Sequence, residues 1–227
     1  MSNGTRRPFG EGPLAQVVSL IYTLLVLEAL LVLTVLPGLL PLILLDRDAS
    51  NIPLFVACVL PLGPAVSAAV FAWHRFRADL TDLTPARAFW RGYRMNFWGV
   101  LRIWVPLLLW LVVIMLNLAN FDAAGVPGWW AGLLVAIGAA ATLWGINALV
   151  ISSLFVFRVR DIARLAAYFL LRTPSVTVGN ALLLLAAAAV TALSSEAVLA
   201  LLGSMMSLAL LLVSRPMINK IREEFTA

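Results

Sequence analysis

The chain has 227 residues, of which 63% are hydrophobic and only 12% are charged. That charged fraction is about half of what a soluble domain needs to cover its surface, so the composition excludes a water-soluble globular protein and predicts contact with a lipid bilayer. The net charge of +5 does not indicate a nucleic-acid partner, because the basic residues flank apolar runs, as they do at a membrane surface.

Six apolar runs are long enough to cross a hydrocarbon core about 30 Å thick, which takes ~20 helical residues. Helices are required because hydrocarbon offers no partner to bare backbone amides. The predicted fold is therefore all-α, a polytopic membrane helical bundle. The predicted spans are residues 14–45, 52–73, 98–118, 129–157, 176–193 and 197–214. These spans form one membrane domain over 1–227, with cytoplasmic tails at 1–13 and 215–227.

Two of these spans leave an alternative open. In the first, Pro37 and Pro41 predict a kink or an early end, since each proline removes a helix hydrogen bond. The fifth and sixth are separated only by residues 194–196. They predict a tight hairpin, and a re-entrant pair is the alternative.

The orientation follows from the 16 lysine and arginine residues. All but Arg47 lie near the two termini, or in and beside the segments that follow the second and fourth spans. The positive-inside rule then predicts that both termini are cytoplasmic. Trp129 and Trp130 begin the fourth span, where an outer aromatic belt is expected.

Two cytoplasmic segments, 84–98 and 158–173, predict amphipathic elbow helices that lie in the lipid interface. Thr84-Pro85 is typical of a helix start. Each elbow joins two spans, so spans two and three are a candidate repeat of spans four and five. The elbows are interpreted either as a docking surface for a cytoplasmic partner or lipid, or as anchors that fix the topology. The candidate docking residues are Arg87, Trp90, Arg91, Arg94, Arg160, Arg164 and Arg172.

Motifs for catalysis are lacking in the sequence. Lys220 is the only lysine and no glycine-rich phosphate loop precedes it. His74 is the only histidine and Cys58 the only cysteine, too few for a His/Cys metal site. No Gly-x-Ser-x-Gly elbow is present. We therefore predict that the protein is not an enzyme and has no catalytic residue, cofactor or metal.

Glu28 lies in the middle of the first apolar run. A carboxylate there costs about 2.5 kcal/mol or more unless it is neutralised or paired, so we expect it to face the bundle interior. Asn117 and Asn120, toward the outer end of the third helix, are candidate hydrogen-bond partners. This intramembrane polar site is interpreted either as a proton or polar-substrate site, or as a polar contact that locks helices together.

The second span contains a candidate helix break at Pro61, Gly63 and Pro64. Broken helices line binding cavities in transporters, and they also occur as plain kinks repaired by neighbouring helices.

The run 60–65, Leu-Pro-Leu-Gly-Pro-Ala, and the alanine- and aromatic-rich run 68–73 resemble the signature of the YesL-like family of small bacterial membrane proteins. The amphipathic segment 88–97 extends the resemblance, which at residue level spans 60–104. The family is a domain of unknown function without established catalytic residues. Its genes tend to accompany carbohydrate ABC importers, and the resemblance implies a location in the inner (plasma) membrane of a bacterium.

The resemblance and the elbows together predict an accessory protein that binds carbohydrate ABC transporter subunits. The alternative is a small-molecule transporter in its own right, with Glu28 in the substrate or proton path.

Overall fold

A computed structural model describes residues 13–46, 48–76, 84–193, 198 and 201–225. Every regular element in these ranges is helical, which confirms the all-α prediction. The α-helices are α1 (Pro13–Leu44), α2 (Ile52–Cys58), α3 (Leu62–His74), α4 (Pro85–Ala119), α5 (Trp129–Leu154), α6 (Val159–Arg172), α7 (Pro174–Leu193) and α8 (Gly203–Phe225). Short 3-10 turns lie at Ala49–Asn51 and Asp122–Ala124.

α3 is the centre of the bundle. It contacts α1, α4, α5 and α8, and nearly all of its residues are buried. Small side chains such as Ala65, Ala68 and Ala69 are fully enclosed, and they allow neighbouring helices to approach closely.

Residues 59–61 interrupt the second predicted span and separate α2 from α3. The predicted break at Pro61, Gly63 and Pro64 thus lies at the start of α3. Trp104 of α4 donates its Nε1 hydrogen to the Val59 carbonyl at 3.3 Å, and this carbonyl also accepts the backbone N–H of Leu62 at 3.1 Å. The same indole packs on Gly63, where an added Cβ would lie 2.7 Å from Trp104 Cγ. In α1, by contrast, the helix continues through both Pro37 and Pro41.

The first predicted elbow is not a separate helix, which corrects the prediction of two elbow helices. Residues 84–98 belong to α4, which continues without a break to Ala119. No proline lies between Pro85 and Pro106, so the backbone ladder is not interrupted between the amphipathic segment and the span. At 35 residues, α4 is about 50 Å long, so it extends beyond a hydrocarbon core of about 30 Å.

The second elbow is a separate helix, α6. The chain is extended after α5 at Phe155, and α6 ends at Arg172, with Thr173 as its C-terminal cap. Pro174 then opens α7, since a proline disfavours helical geometry in the residue before it. The two halves of the candidate repeat therefore differ here: the first elbow is continuous with span three, whereas the second elbow is separate from span five.

Five helical segments in the described residues are long and apolar enough to cross a membrane, which indicates a membrane protein. They are Leu14–Leu42, Ala49–His74, Pro85–Ala119, Trp129–Leu154 and Pro174–Leu193. α8 is not among them, because its second half contains Arg215, Lys220 and Arg222. The predicted hairpin at 194–196 and the first residues of the predicted sixth span, 197–214, lie outside the described residues.

Candidate functional site

Glu28, the centre of the predicted intramembrane polar site, contacts the first turn of α8. Glu28 Oε2 accepts a hydrogen bond of 2.8 Å from the backbone N–H of Ser204. The amides of a helix's first turn have no partner within their own helix, so the carboxyl group satisfies one of them. Trp73 Nε1 donates to the Ser204 carbonyl at 3.2 Å. The backbone of one buried residue of α8, Ser204, is thereby held by α1 and α3 together.

Two polar atoms at this junction are buried without a hydrogen-bond partner in the described part of the chain. They are Glu28 Oε1 and the Ser204 hydroxyl oxygen. The carboxyl group packs against backbone here, since a Cβ added to Gly203 would lie 3.5 Å from Glu28 Oε1.

The structure does not bring Asn117 and Asn120 to Glu28. Asn117 donates to the Val113 carbonyl at 2.7 Å, and Asn120 donates to the Leu116 carbonyl at 2.9 Å. Both side chains are exposed and bond one turn back on their own helix. Neither asparagine is therefore a partner of Glu28, whose hydrogen bond goes to the backbone of α8.

Two asparagines that the sequence did not single out form a buried pair. Asn147 of α5 and Asn180 of α7 are 0% and 1% exposed. Asn180 Nδ2 donates to Asn147 Oδ1 at 3.2 Å, and Asn147 Nδ2 lies 3.5 Å from the Ala166 carbonyl of α6. The sequence signal was one amide within each apolar run.

A second polar cluster joins α3, α4 and α5. The Ser153 hydroxyl lies 2.8 Å from that of Ser67, and Asn96 Nδ2 donates to the Ser153 carbonyl at 3.0 Å. Each member of this cluster and of the asparagine pair connects different helices, so these contacts fix how the helices are rotated relative to one another.

An intramembrane cavity of about 340 Å³ lies between α1, α2, α3, α7 and α8. Its wall is apolar apart from the Cys58 thiol and the side chains of Asn180 and Ser207. Leu31 and Gly203 form part of this wall, and both are neighbours of Glu28. Leu31 lies one turn after Glu28 in α1, and Gly203 lies at the start of α8, which packs against Glu28. The helix break also borders the cavity, through Val59 and Leu62.

The seven candidate docking residues are all exposed, and we call them the basic surface. The two helices that carry these residues pack into the protein core through other side chains. Phe89 of α4 and Phe169 of α6 are fully buried in the same hydrophobic cluster. α4 and α6 also contact each other. The members of the basic surface are Arg87, Trp90, Arg91, Arg94, Arg160, Arg164 and Arg172.

Metal binding finds no support in the described residues, where no three His, Cys, Asp or Glu side chains come together. The described residues instead offer buried hydrogen-bond acceptors between the helices and exposed positive charge on α4 and α6.

Residues 17–118 match the model of a family described as "Protein of unknown function, DUF624". The matched part is a little under half of the chain. It contains Glu28, the helix break and the α4 half of the basic surface, and it leaves out α5 to α8. No curated protein and no solved structure matches the chain.

Proposed function

We propose that the chain is an accessory protein of the bacterial inner membrane that binds a subunit of a carbohydrate ABC importer through its basic surface. The observation that carries this proposal is the exposure of six arginines on α4 and α6, two helices that pack into the same hydrophobic cluster. Exposed arginines held on rigid helices suit a protein partner, because the guanidinium group forms paired hydrogen bonds with carboxylates.

The proposed topology has six crossings and both ends in the cytoplasm. In support, His74 at the end of α3 lies 3.5 Å from Arg222 near the end of α8, so these two helix ends lie on one side of the protein. Gly179, close to the start of α7, packs on Val213 of α8, where an added Cβ would lie 2.5 Å from Val213 Cγ1. α8 therefore reaches the same side as the start of α7, which is the arginine-rich side.

The partner is proposed from its chemistry and from the resemblance to the YesL-like family. A surface with six arginines and one tryptophan fits an acidic, partly apolar cytoplasmic face. The importer is suggested by the family resemblance, since the genes of that family tend to accompany carbohydrate ABC importers.

Co-purification from native membranes in mild detergent tests the proposal. The importer's permease subunit should co-purify with the tagged protein, and Arg91→Glu with Arg164→Glu should reduce its recovery at least about tenfold. The matched control is Arg215→Glu, an exposed arginine on α8 outside the basic surface, which should leave recovery unchanged. Recovery of the protein alone, or equal recovery with both variants, would contradict the proposal.

A second candidate function is transport of a small molecule, with Glu28 in the substrate or proton path. The observation in its favour is the free Oε1 of Glu28 beside a helix start and close to the cavity wall. In reconstituted vesicles, Glu28→Gln should then abolish transport while expression and folding persist, because glutamine can still accept the Ser204 hydrogen bond. A Glu28→Gln protein that transports normally would exclude this role.

A further inference from the structure

A second group of basic side chains lies outside the basic surface, where the ends of α3 and α8 meet. An Arg222 nitrogen lies 3.5 Å from His74 Nε2. The Arg75 guanidinium lies over the Phe71 ring, 4.9 Å from the ring centroid. The side chains of His74, Arg75 and Arg222 are all exposed, and we call these three residues the His74 cluster.

The His74 cluster presents hydrogen-bond donors. An arginine can only donate, so His74 Nε2 is the acceptor in its contact with Arg222, and the neutral ring then carries its proton on Nδ1. Cation–π attraction to Phe71 holds the Arg75 guanidinium in place without a carboxylate. A ligand of this cluster must therefore bring several hydrogen-bond acceptors.

The charge around the cluster is positive. The charged groups that act on the His74 ring in the described residues are Arg222, Arg75 and Arg215, and no carboxylate is among them. Arg215 lies about two turns before Arg222 in α8 and adds to this charge without belonging to the cluster. The two glutamates that follow Arg222 lie on other sides of α8, because successive helical residues are about 100° apart. The ligand that fits is consequently an anion.

The position of the cluster in the bilayer selects the kind of anion. His74 is the last residue of Ala49–His74, a helical segment long and apolar enough to cross the membrane. Trp73 is buried between helices, whereas His74 and Arg75 are exposed. Basic groups at the end of a membrane span lie at the level of the lipid headgroups. The anion within reach is therefore the phosphodiester of a phospholipid.

We propose that the His74 cluster binds the headgroup of an anionic phospholipid such as phosphatidylglycerol. The Arg75 and Arg222 guanidinium groups donate to the phosphate oxygens, and His74 Nδ1 supplies a further donor. A zwitterionic lipid binds less tightly, because the arginines repel its positive group. The His74 cluster is separate from the basic surface, so the proposal does not depend on the importer partner.

Native mass spectrometry of the full chain in a neutral detergent tests the proposal. Dioleoylphosphatidylglycerol should bind about tenfold more tightly than dioleoylphosphatidylcholine, since each basic residue near an anionic headgroup contributes roughly fivefold. Equal binding of the two lipids would overturn the proposal. Inorganic phosphate at millimolar concentration should leave the bound lipid in place, and its displacement would assign the cluster to soluble anions instead.

Two variants separate the cluster from the total charge of the protein. Arg75→Gln with Arg222→Gln should reduce the preference for phosphatidylglycerol to less than about twofold. Arg102→Gln is the matched control, because Arg102 is an exposed arginine of α4 that is not among the groups acting on His74. Its preference should be unchanged. An equal loss in both proteins would show that only the number of positive charges matters and would contradict a site at the cluster.

A readout on the unmodified chain does not depend on the folding of any variant. Phenylglyoxal modifies accessible arginines, and peptide mass mapping gives the rate at each of them. Replacing phosphatidylcholine by phosphatidylglycerol in nanodiscs should slow the modification of Arg75 and Arg222 severalfold more than that of Arg102. Uniform slowing at every exposed arginine would indicate the general surface potential of the membrane and would overturn the proposed site.

Discussion

Glu28 and Ser204 are 176 positions apart in the chain, yet 2.8 Å separates the Glu28 carboxyl oxygen from the Ser204 backbone nitrogen. A helix that begins within a membrane has no water to satisfy its first amides, so a side chain from another helix must do so. Glu28 has this structural role whether or not it also handles a ligand.

Two substitutions of Glu28 separate its hydrogen bond from its charge. Glu28→Gln keeps an acceptor for the Ser204 amide and should change the free energy of unfolding by less than about 1 kcal/mol. Glu28→Leu leaves that amide unpaired and should destabilise the protein by ~1–3 kcal/mol. Unfolding in bicelles measures both. If Glu28→Leu matched the parent while Glu28→Gln were unstable, the Ser204 hydrogen bond would not matter.

Gly63 is predicted to be sensitive to even one added methyl group. An alanine Cβ there would lie 2.7–2.9 Å from three atoms of the Trp104 indole, so Gly63→Ala should cost ~1–3 kcal/mol through overpacking. Gly99 in α4 is the matched control, because a Cβ there meets nothing within 4 Å. Gly99→Ala should be neutral or stabilising by up to about 1 kcal/mol. Equal thermal stabilities of the two variants would contradict the close packing of α3 on α4.

The Asn147–Asn180 hydrogen bond should appear as an energetic coupling. A double-mutant cycle with Asn147→Leu and Asn180→Leu should give a coupling energy of about 0.6 kcal/mol, as is usual for hydrogen bonds between membrane helices. The free energies come from unfolding of the four proteins in the same bicelles. Additive effects within error would show that the pair contributes no mutual stabilisation.

The proposed six crossings can be tested with single cysteines in a Cys58→Ser background. A cysteine at Asp122, between α4 and α5, should react with a membrane-impermeant maleimide in intact cells. A cysteine at Glu224, near the end of α8, should react only after permeabilisation. Reaction of both sites in intact cells would favour five crossings over six.

The sequence predicted the all-helical bundle well, because apolar runs of about 20 residues have few other solutions. The prediction of a separate first elbow was wrong. The pattern changes from amphipathic to fully apolar at residues 96–98, and this change marks a different environment along α4 while the helix itself continues.

The candidate site was only partly predictable. A lone carboxyl group in an apolar run indicates that Glu28 faces the interior, but its partner is the backbone amide of Ser204, and a backbone group leaves no mark in a sequence. The pairing of Asn147 with Asn180 depends on how α5 and α7 are rotated, which their nearly uniform apolar surfaces do not reveal.

The proposal that the basic surface binds an importer subunit is tested most directly by site-specific photo-crosslinking in living cells. A photoreactive amino acid at Tyr168, an exposed residue of α6 between Arg164 and Arg172, should crosslink to the importer's permease subunit. The same amino acid at Leu109, an exposed apolar residue of α4, should not. Crosslinks from Leu109 but none from Tyr168, or none to the permease from either position, would contradict a partner at the basic surface.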